Sequence, residues 1–372
     1  MLIGIEAAHA NKQPRTGVEQ VCFKLIQELK KIIPSEARVV LYSNIPLRNG
    51  LEVLPPNWSA KILSWPLNKL WSQLRLSWEL WRQPPDIFIA PGQLVPFFCP
   101  RKTVVIVHDS AFAVHPEAYN FWGRQYLKWM NQRIASKAGL IITPSEFSRQ
   151  ELNKYFGVDL KKIIVAALGY EAEDFHLLAD DEKSSGQAVL RKYKIDKPFL
   201  LAINRLETKK NTRRMVGAFN LLKKDFDLQL VLGGRPGVGY EEIKKEIEQS
   251  PYRADIKELG WVDKDDSLRL LNHARLFLLP SLYEGFGLPL LEAAACGCPV
   301  VAAQGGSLPE VGAGAVVYVD PLESADIARG AGEILSDDQQ REQYRERGLE
   351  LVKKYSWAGF AHEVWKSIGR LP

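Results

Sequence analysis

Short, uninterrupted apolar runs recur along this chain, each followed by a stretch with helical spacing, and this alternation narrows the fold more than any other feature. In the first half the runs are Ile3–Ala7, Val39–Tyr42, Ile87–Ala90, Thr103–Val107 and Leu140–Thr143. The second half has Phe199–Ile203, Gln229–Leu232, Leu276–Leu279, Pro299–Ala302 and Val316–Val319. A strand with one wet face would alternate apolar and polar residues, whereas these belong in parallel sheets covered on both faces by the intervening helices. At 372 residues the chain exceeds what one ordinary core holds. The runs fall on either side of a stretch rich in Asp, Glu, Ser and Gly, from Glu171 to Lys197. The expected fold class is therefore α/β: two doubly wound Rossmann-like domains joined by a linker, with the ligand in the cleft between them.

Composition removes several other classes. A hydrophobic share of 46% and a charged share of 25% exclude a disordered or fibrous chain. Residues 1–172 hold 21 Lys/Arg against 13 Asp/Glu, and the remainder holds 28 against 31, so the basic excess lies in the first half. Such a split suggests that this half meets something anionic. Cys22 and Cys99 sit in apolar surroundings, and Cys296 and Cys298 form a C-x-C with no second pair at zinc spacing, so no metal site is expected. Met1–Glu6 begins a short strand rather than a signal peptide, and no apolar run approaches the ~20 residues of a membrane span. A soluble or peripheral protein of a reducing compartment is expected.

Ligands of open parallel sheets bind beyond the strand ends, so the residues there carry the functional argument. After the first strand come Asn11 to Thr16, then Gly17 and a helical pattern from Val18 to Ile33. His108 and Asp109 follow Thr103–Val107; Asn204, Arg205 and Lys209-Lys210-Asn211 follow Phe199–Ile203. The most informative string follows Leu276–Leu279: Glu284-Gly285-Phe286-Gly287-Leu288-Pro289, opening a helix that carries Glu292. Its glycines permit positive φ and close backbone approach. The free N–H groups and positive dipole end of the new helix suit a phosphate. Glu292 would lie within that helix, in reach of a ribose hydroxyl, and Glu284 could face a sugar. The plainer alternative is a strand–turn–helix junction with one capping acid.

Ser281 through Pro289 and on to Glu292, Cys296-Gly297-Cys298-Pro299-Val300-Val301 and Gly306-Ser307-Leu308-Pro309-Glu310-Val311 together closely resemble the signature of the retaining nucleotide-sugar glycosyltransferases of family 4, which have the GT-B fold. Ser145-Glu146-Phe147-Ser148, Gly169, Arg205 through Lys210-Asn211, Gly260-Trp261-Val262 and Tyr355-Ser356-Trp357 extend the resemblance over nearly the whole chain. It implies an N-terminal, acceptor-side domain of residues 1–172 completed by a closing helix at 358–372, and a nucleotide-sugar domain of residues 173–357. Glu292 would bind the nucleotide ribose and Glu284 the donor sugar hydroxyls. The backbone amides of Phe286, Gly287 and Leu288 would hold the sugar and distal phosphate. Arg205 and Lys210 would clamp the diphosphate and neutralise the leaving group without a metal. Gly17 would let the first loop approach the phosphates, His108 would line the sugar pocket, and Val262 would join the donor-binding residues. The resemblance also implies retention by front-face attack, with a donor phosphate oxygen taking the acceptor proton; no carboxylate is clearly placed as a nucleophile. Two departures stand out: Gly17-Val18-Glu19-Gln20-Val21 lacks the Arg common in the family's first loop, and Asn204-Arg205 replaces Gly-Arg.

His108-Asp109 with Pro116-Glu117 resembles the mannosyltransferase-like branch of bacterial polysaccharide assembly. That implies a hexosyltransferase moving mannose from GDP-mannose to a glycan or lipid-linked glycan, with no separate cofactor and no nucleic-acid partner. UDP-glucose as donor, a disaccharide-type synthase of the same fold and a non-catalytic sugar-nucleotide-binding scaffold are the alternatives. Trp65, Trp71, Trp78 and Trp81, with Leu67, Leu70 and Leu74, form a stripe flanked by Lys69, Arg75 and Arg82. It could rest on an anionic membrane or pack on the sheet, the latter being the usual fate of large apolar residues. The expected place is thus the cytoplasm, with peripheral attachment to the inner membrane face left open. Asp225-Phe226-Asp227 reads as a surface turn. Gly233–Gly239 lacks the Lys-Ser/Thr of a P-loop and reads as the lip of the nucleotide pocket. His9, His115, His176, His273 and His362 share no spacing and read as structural.

Overall fold

The computed structural model describes residues 1–13, 15, 17–67, 70–116 and 119–371. Thr16, Lys69 and Glu117, named above, lie outside the described residues. The chain divides into an N-terminal unit, Met1–Gly169 with Ser356–Pro372, and a C-terminal unit, Tyr170–Tyr355. Gly169 marks the point where the chain leaves the first unit: a Cβ there would lie 2.1 Å from the backbone nitrogen of Trp357, so only glycine lets the outgoing and returning segments touch. The polar stretch 171–197, expected as a linker, instead carries a helix of the second unit, Asp180–Lys192, packed on the Lys264–His273 helix.

The first unit holds a seven-stranded sheet in the order β3-β2-β1-β4-β5-β6-β7, parallel throughout. Its strands are β1 Leu2–Glu6, β2 Arg38–Ser43, β3 Trp58–Ile62, β4 Ile87–Ala90, β5 Thr103–Ile106, β6 Leu140–Thr143 and β7 Ile163–Val165. The second unit holds six parallel strands in the order β10-β9-β8-β11-β12-β13: β8 Phe199–Ile203, β9 Gln229–Gly233, β10 Ile256–Gly260, β11 Leu276–Leu279, β12 Val300–Ala303 and β13 Val317–Val319. All ten apolar runs are strands. The three that escaped sequence reading, β3, β7 and β10, are sheet edges: β3 and β10 mix polar residues into the run, and β7 is only three residues long. In β3, for example, Ser59, Ala60 and Ile62 are exposed.

Strand order reverses between β1 and β4 in the first unit and between β8 and β11 in the second. Behind the second reversal lies a core of Leu200, Leu230, Leu276, Val301, Phe219 and Ile327, filled from the Thr212–Leu222 and Ser324–Ser336 helices. Behind the first, Phe88, Val105, Ile141, Leu76, Leu80 and Ile134 pack together. The Gly17–Ile32 helix lies against the Trp357–Ile368 helix, whose first turn is capped by the Ser356 hydroxyl accepting from the Gly359 N–H.

The tryptophan stripe divides. Trp71 is buried and donates its indole N–H to the Leu63 carbonyl at 2.7 Å, whereas Trp78 and Trp81 are 55% and 59% exposed with ring centroids 5.2 Å apart. Residues Ser72–Leu76 form a π-helical turn, with the Leu76 N–H donating to the Trp71 carbonyl. The wider turn breaks the period that would have kept Trp71, Trp78 and Trp81 on one face.

Candidate functional site

In the C-terminal unit the tails of β8 and β11 are tied together. Beyond β8, residues Thr208–Lys210 make a single turn that ends on Asn211 in the left-handed region at φ 64°. The Asn211 amide donates to the carbonyls of Pro280 (2.9 Å) and Pro321 (2.6 Å), and the Leu282 N–H donates to the Lys209 carbonyl. This brings Lys210 Nζ to 2.6 Å from Glu284 Oε1, with both side chains largely buried. Ser307 sits beneath: its hydroxyl bridges the carbonyls of Glu284 and Phe286 at 2.9 Å each, fixing the turn. Gly287, at φ +107°, then starts the Leu288–Ala295 helix. The Phe286 ring is buried against Tyr355, leaving its backbone as the part available to a ligand.

Glu292 lies one turn into this helix, on the face of Leu288. Crowding by protein pushes its carboxyl up to about 7; the negative charges of Glu171 and Asp174 add to this and Lys264 opposes it. Lys264 itself pairs with Asp174. Val262, buried after β10, packs where a Cβ on Gly233 would fall 2.9 Å from it. Arg205 is exposed, its stem against Gly237 of the glycine-rich loop. That loop runs beside the β8 tail, with Gly234 at φ +143° where a Cβ would lie 1.8 Å from the Asn204 carbonyl oxygen. Its glycines therefore serve a close backbone approach.

The remaining expected site residues are in the N-terminal unit. His108 is buried beyond β5, with Nε2 2.8 Å from the Pro91 carbonyl. That acceptor makes Nε2 the protonated nitrogen, and burial lowers the ring's pKa, keeping it neutral. Gln93 holds the segment, accepting from the His108 N–H and donating to the Asp109 carbonyl. Gly17 begins its helix exposed, and a Cβ there would meet nothing within 4 Å, so no neighbour in the chain requires glycine at this position.

Asp225-Phe226-Asp227 is a surface turn whose Asp227 pairs with Lys197 and Lys223. Among the described residues no three His, Cys, Asp or Glu side chains cluster as metal ligands. Sequence reading missed Asn211, Ser307 and Gln93 as residues that hold the site in shape. Asn211 carried a signal, because an Asn directly after a strand-end turn tolerates the left-handed region. Ser307 stood within the Gly306–Val311 motif, but its partners, like those of Gln93, are fixed only by the fold.

Two family profiles match the chain, Glycosyl transferases group 1 over residues 188–351 and Glycosyltransferase Family 4 over residues 15–174. Over 286 residues the chain is 31% identical to the O-antigen chain mannosyltransferase B of Escherichia coli, a match covering 76% of this chain and 74% of that one. The chain is a group 1 glycosyltransferase of family 4. Another relative of this glycosyltransferase is the serotype-specific mannosyltransferase WbdA of Escherichia coli, 28% identical over 283 residues, 73% of this chain but 34% of that protein. The glycosyltransferase thus spans about a third of WbdA's length. Among solved structures, HepE of Anabaena, in complex with UDP-glucose, superposes with a TM-score of 0.75 at 17% identity over the whole of both chains. At that identity the likeness concerns the fold, which is GT-B.

Proposed function

We propose that this glycosyltransferase moves mannose from GDP-mannose to a glycan or lipid-linked glycan during polysaccharide assembly, with retention of the anomeric configuration. The observation that carries this reading is the Lys210–Glu284 pair at the head of the helix opened by Gly287. A cation for the departing diphosphate and a carboxylate for sugar hydroxyls meet at one point, beside the backbone amides of Gly287 and Leu288. Lys210 and Arg205 clamp the diphosphate, the amides of Phe286, Gly287 and Leu288 receive the sugar and distal phosphate, and Glu292 receives the ribose. Val262 floors the nucleotide pocket, His108 offers a sugar contact, and the open space around Gly17 admits phosphate. The E. coli O-antigen relative supports mannose as the transferred sugar.

The clamp needs no metal, since two side-chain cations and the helix dipole stabilise the leaving group. Among the described residues no helix is long and apolar enough to cross a membrane. The exposed Trp78 and Trp81 pair supports peripheral attachment, because two adjacent exposed indoles with Arg82 beside them suit an anionic bilayer surface.

The test is transfer from GDP-mannose, and from UDP-glucose in parallel, to mannose-terminated oligosaccharides with and without EDTA. The expected outcome is preference for GDP-mannose, EDTA-insensitive turnover and a product with the donor's anomeric configuration by NMR. Preference for UDP-glucose overturns the donor assignment, an inverted product overturns retention, and strict dependence on Mn²⁺ overturns the metal-free clamp.

A further inference from the structure

At the strand-order reversal of the N-terminal unit, Glu6 ends β1 fully buried and holds His9 by two bonds. The His9 backbone N–H donates to Oε1 (3.1 Å), and the ring Nδ1 lies 2.9 Å from Oε2. A carboxylate only accepts, so Nδ1 carries the proton and Nε2 is left as the open nitrogen of the neutral ring. No described group bonds to Nε2. Gly92, just beyond β4, makes room for the ring: a Cβ there would lie 2.6 Å from it. A side chain anchored this way has one orientation, set by the carboxylate behind it.

His9 lines two cavities of the same unit. One, of about 670 Å³, is walled by Asn44, Arg48, Trp71, Gln73 and Tyr126; the other, of about 480 Å³, contains His108 and Asp109. In the larger one, Gln73 is buried, its amide donating to the Val95 carbonyl at 3.3 Å with the Tyr126 hydroxyl against the same side chain. Aromatic walls with a few amide, guanidinium and imidazole groups are the chemistry of a polyol with apolar C–H faces, which is a pyranose.

We propose that His9, positioned by Glu6, binds a hydroxyl of the acceptor sugar in this cavity. This rests on the glycosyl-transfer reading above and adds to it the side chain that grips the acceptor sugar. Glu6 is a positioning residue that acts through His9. The carboxylate of Glu6 raises the pKa of the His9 ring; Glu19 adds to this, Lys12 and burial oppose it, and the neighbouring His108 ring also faces it. Glu6→Gln should therefore lower the pH at which the ring titrates.

The experiment uses the full chain, GDP-mannose and α-linked mannotriose, with donor and acceptor KM measured separately. His9→Gln is expected to raise the acceptor KM about 10- to 100-fold, the loss of one hydrogen bond to a polar ring, while the thermal shift given by GDP persists and shows the variant folded. Glu6→Gln is expected to move the pH profile of the acceptor KM downward, which a merely structural role would not do. An acceptor KM equal to wild type in His9→Gln overturns the proposal. A second measurement needs no variant: wild-type chain with isotope-labelled histidine, the His9 ring signal assigned through its contacts to Gly92, is titrated with mannotriose alone. Movement of that signal supports the site, and a signal unmoved at high millimolar mannotriose overturns it. A ring that moves in a protein that transfers nothing leaves the site standing and sinks the transferase reading. Transfer with an unmoved ring does the reverse.

Discussion

Both units gather charged residues where their strand order reverses, and the two gatherings are built in different ways. At the β1/β4 reversal, Glu6 and His9 are three residues apart and meet within one turn of chain. At the β8/β11 reversal, Lys210 and Glu284 are 74 residues apart and meet only because Asn211 and the Lys209 carbonyl tie one strand tail to the next. The first pair is local and leaves a ring nitrogen open; the second is tertiary and closes on itself. The difference teaches that a common topological point fixes where a site forms, whereas side-chain reach decides whether it offers a single hydrogen-bonding atom or a balanced charge pair.

The sharpest way to break this comparison is to remove one member of the tertiary pair. Lys210→Ala or Glu284→Ala should lower kcat/KM for GDP-mannose by about a thousandfold, in line with the loss of a leaving-group clamp, while circular dichroism stays native. Pairing the changes as Lys210→Met with Glu284→Leu should recover the melting temperature lost by either single change, because a stranded charge costs more than an apolar pair. It should not recover turnover. Full activity in the double variant would reduce the pair to a structural strut.

A smaller effect is expected at the tie. Asn211→Gly keeps the left-handed backbone but loses the amide, and should cost about tenfold to a hundredfold in turnover by loosening Lys210, as misplacement of a clamp does. Asn211→Ala should melt lower than Asn211→Gly, since alanine adds the left-handed strain of about 1 kcal/mol. Equal melting temperatures would remove strain from the explanation. On the local side, Gly92→Ala should displace the His9 ring and cost about tenfold in acceptor use with the donor KM unchanged; a change in donor KM instead would mean that the two reversals do not divide the work as argued.

The smallest expected effect concerns pH. Folding pushes the Glu292 carboxyl up to about 7, mainly because crowding desolvates it. The folded state thus favours the protonated acid, and this contribution is full below the ordinary glutamate range and lost as pH rises through about 7. Apo Glu292→Gln should therefore melt a few degrees above wild type at alkaline pH, with the gap closing on acidification, and should bind GDP more weakly. A gap that widens toward low pH would reverse the assignment. A ribose held by Glu292 would then be contradicted by a GDP affinity equal to wild type.

Much of this was legible beforehand. The ten buried strands announced themselves because a doubly covered strand has no polar alternation to disguise it. The string from Glu284 to Glu292 was legible because glycine at φ +107° and a helix start leave a residue-type signature. The edge strands β3 and β10 were not, since partial exposure gives them polar residues, and β7, Ile163–Val165, is only three residues long. The helix Asp180–Lys192 was hidden for a related reason: it lies among Asp, Glu, Ser and Gly residues that also make linkers. The tryptophan stripe misled because its spacing assumed an α-helix, and the π-turn at Ser72–Leu76 sends Trp71 inward while Trp78 and Trp81 stay out.

The sequence by itself determined the fold class, the two-sheet plan and the glycine turn, because these depend on hydrophobic period and backbone freedom, both local properties. Tertiary structure alone decided which distant polar residues become partners. Nothing within residues 204–211 announces that Lys210 will meet Glu284, and nothing around His9 announces that Gly92 will open beside its ring. Those meetings follow from strand order, and strand order is set by which sheets bury the most apolar surface together, a property of the whole chain.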